Sequence, residues 1–535
     1  MSQGVLKVNS NLVTHGKNAI LTRGNSTVNI NTDGKHTTNL NGDIVFDFDK
    51  TTSVDSEVNV NLSGEGSQWT GNTRVDWKND SGKPDEANLA VTGMKLNLSD
   101  GATWTPTAVK NKTADKSGSN YVALNQLSID NGVVNLDSDK LDANSPVKVE
   151  KISGNGTITT NSLDNKLVID DKATGTKLKV EGSGEIGDKI LAGKATLEDL
   201  AGTAKVGDKT ASDVVETQDG IIAGKMSAKV GDDGKIVAST IKTAVQQHNQ
   251  AVSSMANLSL MTWRQENNDM NKRLGEVRAS EGSQGIWARM ARGQSKYGQQ
   301  GIKNQYNYYQ LGYDSKISDD WILGGAFTYT DGDSSYINGS GTNKHTGFAV
   351  YGSNLRDDGS FIDLIAKYAH MKNDFDVNGG VGSGDYSTNG LSFSAEYGKR
   401  FHQEGYWIEP QAELTYGRVS SADFTTKNGA SVHQDSMDSL VGRLGFSLGK
   451  DIKQGNVYVR ASYLYDFQGD TSVTMSKGGA TTPFKTDLGG GWWEFGVGTN
   501  LDLGHDTHFY LDVETTAGGD VDTPWQWNAG VRYSF

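Results

Sequence analysis

From Trp525 to the end of the chain every second side chain is apolar: Trp527, Ala529, Val531, Tyr533 and Phe535, with Gln526, Asn528, Gly530, Arg532 and Ser534 between them. A period of two predicts an extended strand with one apolar and one polar face. Aromatics stand at both ends of the apolar face, where a lipid–water boundary holds them. The stretch matches the roughly 9–11 residues a tilted strand needs to cross a bilayer. The pattern recurs upstream and predicts twelve strands near 284–295, 304–318, 321–333, 343–357, 359–374, 386–401, 404–420, 437–452, 455–470, 491–504, 506–517 and 525–535. Within them Leu391, Phe393, Ala395 and Tyr397 oppose Ser392, Ser394, Glu396 and Gly398. Tight connections such as Asp357–Gly359 and Gln403–Gly405 alternate with longer polar ones around 333–343, 374–386, 422–437 and 471–490, as in an antiparallel barrel with short turns at one rim and loops at the other. Pro410 inside a predicted strand removes a ladder donor, and the third strand reads short. A soluble lipocalin-like barrel carries the same alternation with the faces exchanged.

The period changes ahead of this region. Ile241, Val245, Val252 and Met255 recur at spacings of three, four or seven, and no Pro or Gly interrupts Ile241 to Leu274. That predicts a long helix within 236–281. Its apolar stripe is narrow, so it suits neither a protein core nor lipid. A polar, wet channel fits it; a short exposed coiled coil is the other reading.

Residues 1–235 read as short alternating segments broken by Gly, Asn and Asp, among them Leu6–Val8, Val28–Ile30, Val58–Leu62, Leu96–Leu98 and Lys177–Val180. Each has two or three apolar residues on one face and cannot bury a core alone. Stacked as the rungs of a β-solenoid, at roughly 20–30 residues per coil, they would. A β-sandwich of the same strands is the alternative.

Composition narrows the classes. Eight of the 11 Trp lie from Trp263 onward, Gly is abundant at 66, and Cys is absent, which removes thiolate metal sites and disulfides. Fifty-one Lys+Arg against 65 Asp+Glu leave a net charge of −14, which argues against a nucleic-acid partner. The opening MSQGVLKVNS carries no charged region followed by an apolar core, so no signal peptide is read there and the chain is expected to be a fragment of a longer secreted protein. The 9 His show no HExxH or i, i+4 pair, and there is no P-loop, so no metal or cofactor is implied. Gly332–Ser335 (GDSS) resembles half of a serine-protease motif, but turn chemistry explains it better.

Four stretches carry a resemblance: NKRLGEVR at 271–278, GIWAR at 285–289, WIEPQAE at 407–413 and the terminal YSF. Together with YVALNQLSIDNGVVNLDS at 121–138 and VKVEKISGNGTITTN at 147–161, they resemble the type V autotransporters of Gram-negative bacteria, the N-terminal part being similar to a pertactin-type passenger. The resemblance implies an all-β chain: a right-handed parallel β-helix passenger fragment over 1–163, a cap or autochaperone-like module over 164–235, a linker helix in the lumen over 236–281, and an outer-membrane barrel over 282–535. It implies an outer-membrane location with the passenger on the cell surface, an adhesin-type stalk, and lipid, the barrel assembly machinery and periplasmic chaperones as partners. Trp527, Val531, Tyr533 and Phe535 would form the membrane-assembly signal. In the serine-protease members an Asn–Asn pair before NKR cyclises and releases the passenger; the aligned pair here is Asn268–Asp269, which departs from that pattern at its second member. Self-cleavage and, less favoured, a porin-like channel are therefore alternatives to a retained stalk.

Alternation places Glu396, Glu413, Arg443, Arg460, Glu494, Asp512, Glu514 and Arg532 on the lumen face. In a narrow channel buried charges must be paired. Arg264, Lys272, Arg273 and Arg278 of the helix are expected to serve the acids, and Glu266, Asp269 and Glu276 the arginines.

Overall fold

A computed structural model describes residues 4–23, 25–49, 56–78, 93–108, 124–141, 146–241, 247–278 and 283–535. The chain divides into two compact units, Met1–Ala244 with Gly478–Ala480, and Val245–Lys477 with Thr481–Phe535.

In the first unit, Gly4–Val8, Ser26–Ile30, Glu57–Ser63, Met94–Ser99, Leu124–Leu136 and Val147–Thr160 stack as parallel strands. Parallel stacking is the solenoid arrangement and excludes the sandwich. Gly4 faces Ser26 (22 residues on), Val28 faces Val58 (30), Val58 faces Met94 (36), Lys95 faces Gln126 (31) and Gln126 faces Lys151 (25), so the coils are less even than the sequence suggests. Alternation turns one side chain in two inward. Leu40, Trp69, Trp104, Val134, Ile158, Val180 and Val215 thereby form a column, rung on rung. None of the seven is more than 1% exposed, and burial of each stabilises the stack by about 1.5–3 kcal/mol. Trp69 and Trp104 stack at 5.5 Å, and their indole N–H groups donate to the carbonyls of Gly42 and Gly71. The apolar interior has no polar atom left over from these two large rings.

The stack ends differently. Helices Gly184–Leu191 and Leu197–Ala201 follow Lys177–Gly182, the second opened by a Thr196–Asp199 capping box. Val214–Thr217, Met226–Val230 and Ile236–Ile241 then pair antiparallel. Asp188 accepts the backbone N–H groups of Ile221, Ile222 and Ala223 at 2.8–3.0 Å, tying the loop between Val214–Thr217 and Met226–Val230 to the first of these helices.

The second unit is a closed antiparallel barrel. Its strands are Gln284–Tyr297, Ile302–Lys316, Trp321–Tyr336, Gly339–Leu355, Ser360–Val377, Gly384–Lys399, Tyr406–Val419, Met437–Ile452, Gly455–Asp466, Gly490–Asp502, Thr507–Ala517 and Val521–Ser534. Gly285 pairs with Ser534 and Tyr297 with Val521, which joins the first strand to the last. Leu444 and Val497 are 68% and 56% exposed on the outer wall, while Arg443 and Glu494 are buried inside. Apolar out and polar in is the reverse of a lipocalin.

Several expectations change. The helix spans Gln247–Arg278; Ile241 and Ser239 belong instead to the strand Ile236–Ile241, and Ala244 and Val245 lie outside the described residues. Over so few apolar residues a three-to-four spacing does not separate a helix from the end of a strand. The third strand is long, sixteen residues, because the presumed loop near 333–343 is only Ile337–Asn338, with Asn338 at φ 63°. The two longest loops fold into hairpins that join as one four-stranded sheet, Ala422–Thr425, Ser431–Gln434, Asp470–Lys477 and Ala480–Asp487. Pro410 sits where its neighbour changes: Ile408 pairs with Phe401, Gln411 with Gly398, and Arg400 interrupts the ladder between them. The missing N–H falls at that break. Among the described residues no helix is long and apolar enough to cross a membrane.

Candidate functional site in the barrel lumen

The polar faces of the barrel strands converge on the helix Gln247–Arg278, and charged wall residues there find opposite charges or polar groups of the helix. Glu396, Glu413 and Arg443 stand opposite one another on three adjacent strands. The Arg443 guanidinium bridges both carboxylates, at 3.4 Å from Glu396 and closer to Glu413. Arg460 crosses over Gly496 to reach Asp512 at 3.2 Å and Glu514 at 2.5 Å. A Cβ on Gly496 would lie 2.7 Å from the Arg460 Nε, so the glycine makes room for the crossing. Arg532 reaches Asp314 at 2.8 Å in the same manner, over Gly285. Asn528 donates to Asp512 at 2.9 Å.

The helix is tied along its length. Asn257 bonds Gln300 and Thr471. Thr262 accepts from Asn304 and Asn343. Arg264 reaches Asp466 at 3.0 Å and the carbonyl of Leu488 at 2.7 Å. Glu266 accepts from Thr330 at 2.6 Å and Lys367 at 2.5 Å, with His345 Nδ1 at 2.6 Å. Ser392 donates to Asn267 at 2.9 Å. Asn268 Nδ2 donates to Glu494 Oε2 at 2.6 Å. Asp269 accepts from Gln526 at 2.7 Å through its carboxylate and from Arg289 at 2.5 Å through its carbonyl. Gln526 is also held by Tyr306 and Glu514.

This pairing differs from the one the sequence suggests. Glu266 meets a lysine and a histidine, not an arginine, and Arg443, Arg460 and Arg532 meet carboxylates of their own wall. The ladder already orders the wall backbone, so an arginine meets an acid one or two strands away without ordering further chain, and wall charges are satisfied within the wall. The side chains of Lys272, Arg273, Glu276 and Arg278 lie outside the described residues. Sequence reasoning passed over Lys367, His345, Asp314, Asp466 and Gln526. Lys367 was findable: it shares the inward parity of Ile365 and Ala369 in a membrane-length strand, where a lysine needs a partner.

On the outer wall Val531, Tyr533 and Phe535 are exposed and Trp527 half-buried, with Tyr533 and Phe535 stacked at 6.2 Å. The Phe535 N–H donates to the Gln284 carbonyl, so the last residue is tied to the first strand.

The autotransporter beta-domain model matches residues 286–514. The barrel-forming part of this chain is an autotransporter β-domain. The pertactin autotransporter of Bordetella parapertussis is 32% identical over 294 residues, which are 52% of this chain and 32% of that protein. The serine protease pet autotransporter of Escherichia coli O44:H18 is 34% identical over 282 residues, 50% of this chain and 22% of that protein. The chain therefore spans about a fifth to a third of the length of these relatives, and the likeness to the serine-protease members lies in the barrel region. The β-domain of the Bordetella autotransporter BrkA is similar at 26% identity and a TM-score of 0.40, covering 47% of this chain and all of that one. The β-domain places the chain in the outer membrane.

Proposed function

We propose that the autotransporter β-domain supports secretion of the N-terminal β-helix and displays it on the cell surface as a stalk, with the helix Gln247–Arg278 as linker and plug. The observation that carries this reading is the lumen itself: a wall that is polar inside and apolar outside, enclosing a polar helix whose side chains it bonds from Asn257 to Asp269. Residues 1–163 serve as passenger fragment and 164–235 as its cap, and an adhesin is the effector such a stalk suits. Folding of this barrel calls on periplasmic chaperones and the assembly machinery that reads Phe535. Protease treatment of intact cells tests the display. Degradation of the N-terminal unit with the barrel protected supports it, and full protection of the N-terminal unit refutes it.

A second reading is supported by the Asn268–Glu494 contact. The Nδ2 of Asn268 would attack the carbonyl carbon of its own residue while Glu494 takes the amide proton. The Asn268–Asp269 bond breaks, Asp269 leaves with a protonated amine, and a succinimide remains at Asn268. Asp269 in place of a second Asn, and a backbone that stays helical across the pair, favour the retained stalk. Two bands on a denaturing gel, merging to one in Asn268→Ala, support cleavage. One full-length band in the wild type excludes it. A porin-like channel is disfavoured because the helix occupies the lumen.

A further inference from the structure

We propose that Glu266 is the latch that retains the helix in the pore, an inference resting on the plug reading above. Its carboxylate is 3% exposed and is gripped by three successive barrel strands: Thr330 on the third, His345 on the fourth and Lys367 on the fifth. Lys367, 1% exposed at its side chain, is itself bracketed by two rings, Trp263 at 4.5 Å and Tyr308 at 5.1 Å. Trp263 precedes Glu266 by three residues and so lies on the same helix face. The helix thus presents both an acid and an aromatic ring to one wall cation, and the wall presents a ring on the other side.

Such an arrangement forms only in one register. Sliding the helix along the lumen strands Glu266 away from Lys367 and leaves each charge buried without its partner, a state strongly disfavoured in a low-dielectric site. The neutral ties at Asn257, Thr262 and Asn267 exchange for water at little net loss. A second ionic tie, Arg264 to Asp466, is buried too but holds the helix to a single wall carboxylate, and Asn268 and Asp269 add bonds to Glu494 and Gln526. Of these ties, Glu266 is the one gripped by three strands at once, so retention depends on it most.

The test is single-channel recording of the full chain in planar bilayers, with heat-modifiable gel migration to show that each barrel is folded. Wild type should be closed, and deletion of 247–278 should conduct. Glu266→Gln should raise open-channel events by at least about tenfold. The exchange Glu266→Lys with Lys367→Glu restores attraction across the same gap and should return towards wild type. A closed wild type with an equally closed Glu266→Gln overturns the latch and leaves the plug standing. A wild type that conducts like the deletion overturns the plug reading. A swapped pair as open as Glu266→Gln, in a folded barrel, overturns the electrostatic coupling on which the latch depends.

Discussion

The ring of Tyr510 lies directly over Gly530 on the neighbouring strand, so close that a Cβ on the glycine would fall 2.1 Å from the ring. The same pairing recurs at Trp287 and Gly312, Tyr351 and Gly324, Phe361 and Gly398, Trp407 and Gly449, and Tyr458 and Gly498, each a directly opposed cross-strand pair. Each lies near the open end of a hairpin, far from the connection that joins its strands, and pins them where no turn does. Gly530→Ala forces the ring out of its seat and should destabilise the barrel by about 1–3 kcal/mol. Urea unfolding of the detergent-refolded β-domain measures this; a change below a few tenths shows that the ring moves freely.

Leu444 and Arg443 are adjacent and make opposite demands. Leu444→Arg places a charge on the lipid face and should cost about 2–4 kcal/mol near the midplane. Arg443→Leu strands the buried Glu396 and Glu413 side by side and should cost about 3–5 kcal/mol. Adding Glu396→Gln and Glu413→Gln to Arg443→Leu should recover most of that loss in the same unfolding assay. A tolerated Leu444→Arg would mean that the faces are inverted.

His433, on the strand Ser431–Gln434 of the loop sheet, lies 2.6 Å from Asp423 and 3.1 Å from Asp435. The hydrogen bond to Asp423, and then the charges of both carboxylates, hold its pKa above the ordinary 6.5 despite slight desolvation. A raised folded-state value means that the protonated ring stabilises the hairpin fully below pH 6.5, and that this contribution is lost as pH rises through the raised value. The ring resonances of His433 should titrate above those of exposed histidines, and Asp423→Asn should bring them back.

Asp188 holds three consecutive backbone N–H groups of the cap. Asp188→Ala leaves them without that acceptor and should cost roughly 3 kcal/mol. Limited proteolysis of the full chain should then cut first within 184–223, with the strands before Thr160 protected. Unchanged protection would mean that water replaces the carboxylate.

The barrel was readable because a lipid face admits no compromise: Leu391, Phe393 and Tyr397 must all point out, and the period survives into the sequence. The rungs were readable for the same reason, since Val58, Val60 and Leu62 share one buried face. What the sequence hid was anything decided between strands. Asp314 and Arg532 are 218 residues apart and meet only because the barrel closes. Lys367, His345 and Glu266 likewise depend on the helix register, which a narrow apolar stripe does not determine. The strand end at Ile241 was hidden because its few apolar residues satisfy a helical spacing as well.

The clasp from Arg532 over Gly285 to Asp314 has a bearing on how the barrel finishes. It joins the final strand to the second one, passing across the first. Only when strand one is already zipped to strand two does the arginine find its acid. A slip of two residues along the closing seam keeps every apolar side chain facing lipid and preserves the alternation of backbone bonds except at the strand ends, yet carries the guanidinium about 6–7 Å from its partner. The hydrophobic pattern is blind to that error, and the buried ion pair is not. Arg532 therefore proofreads the register in which the cylinder seals.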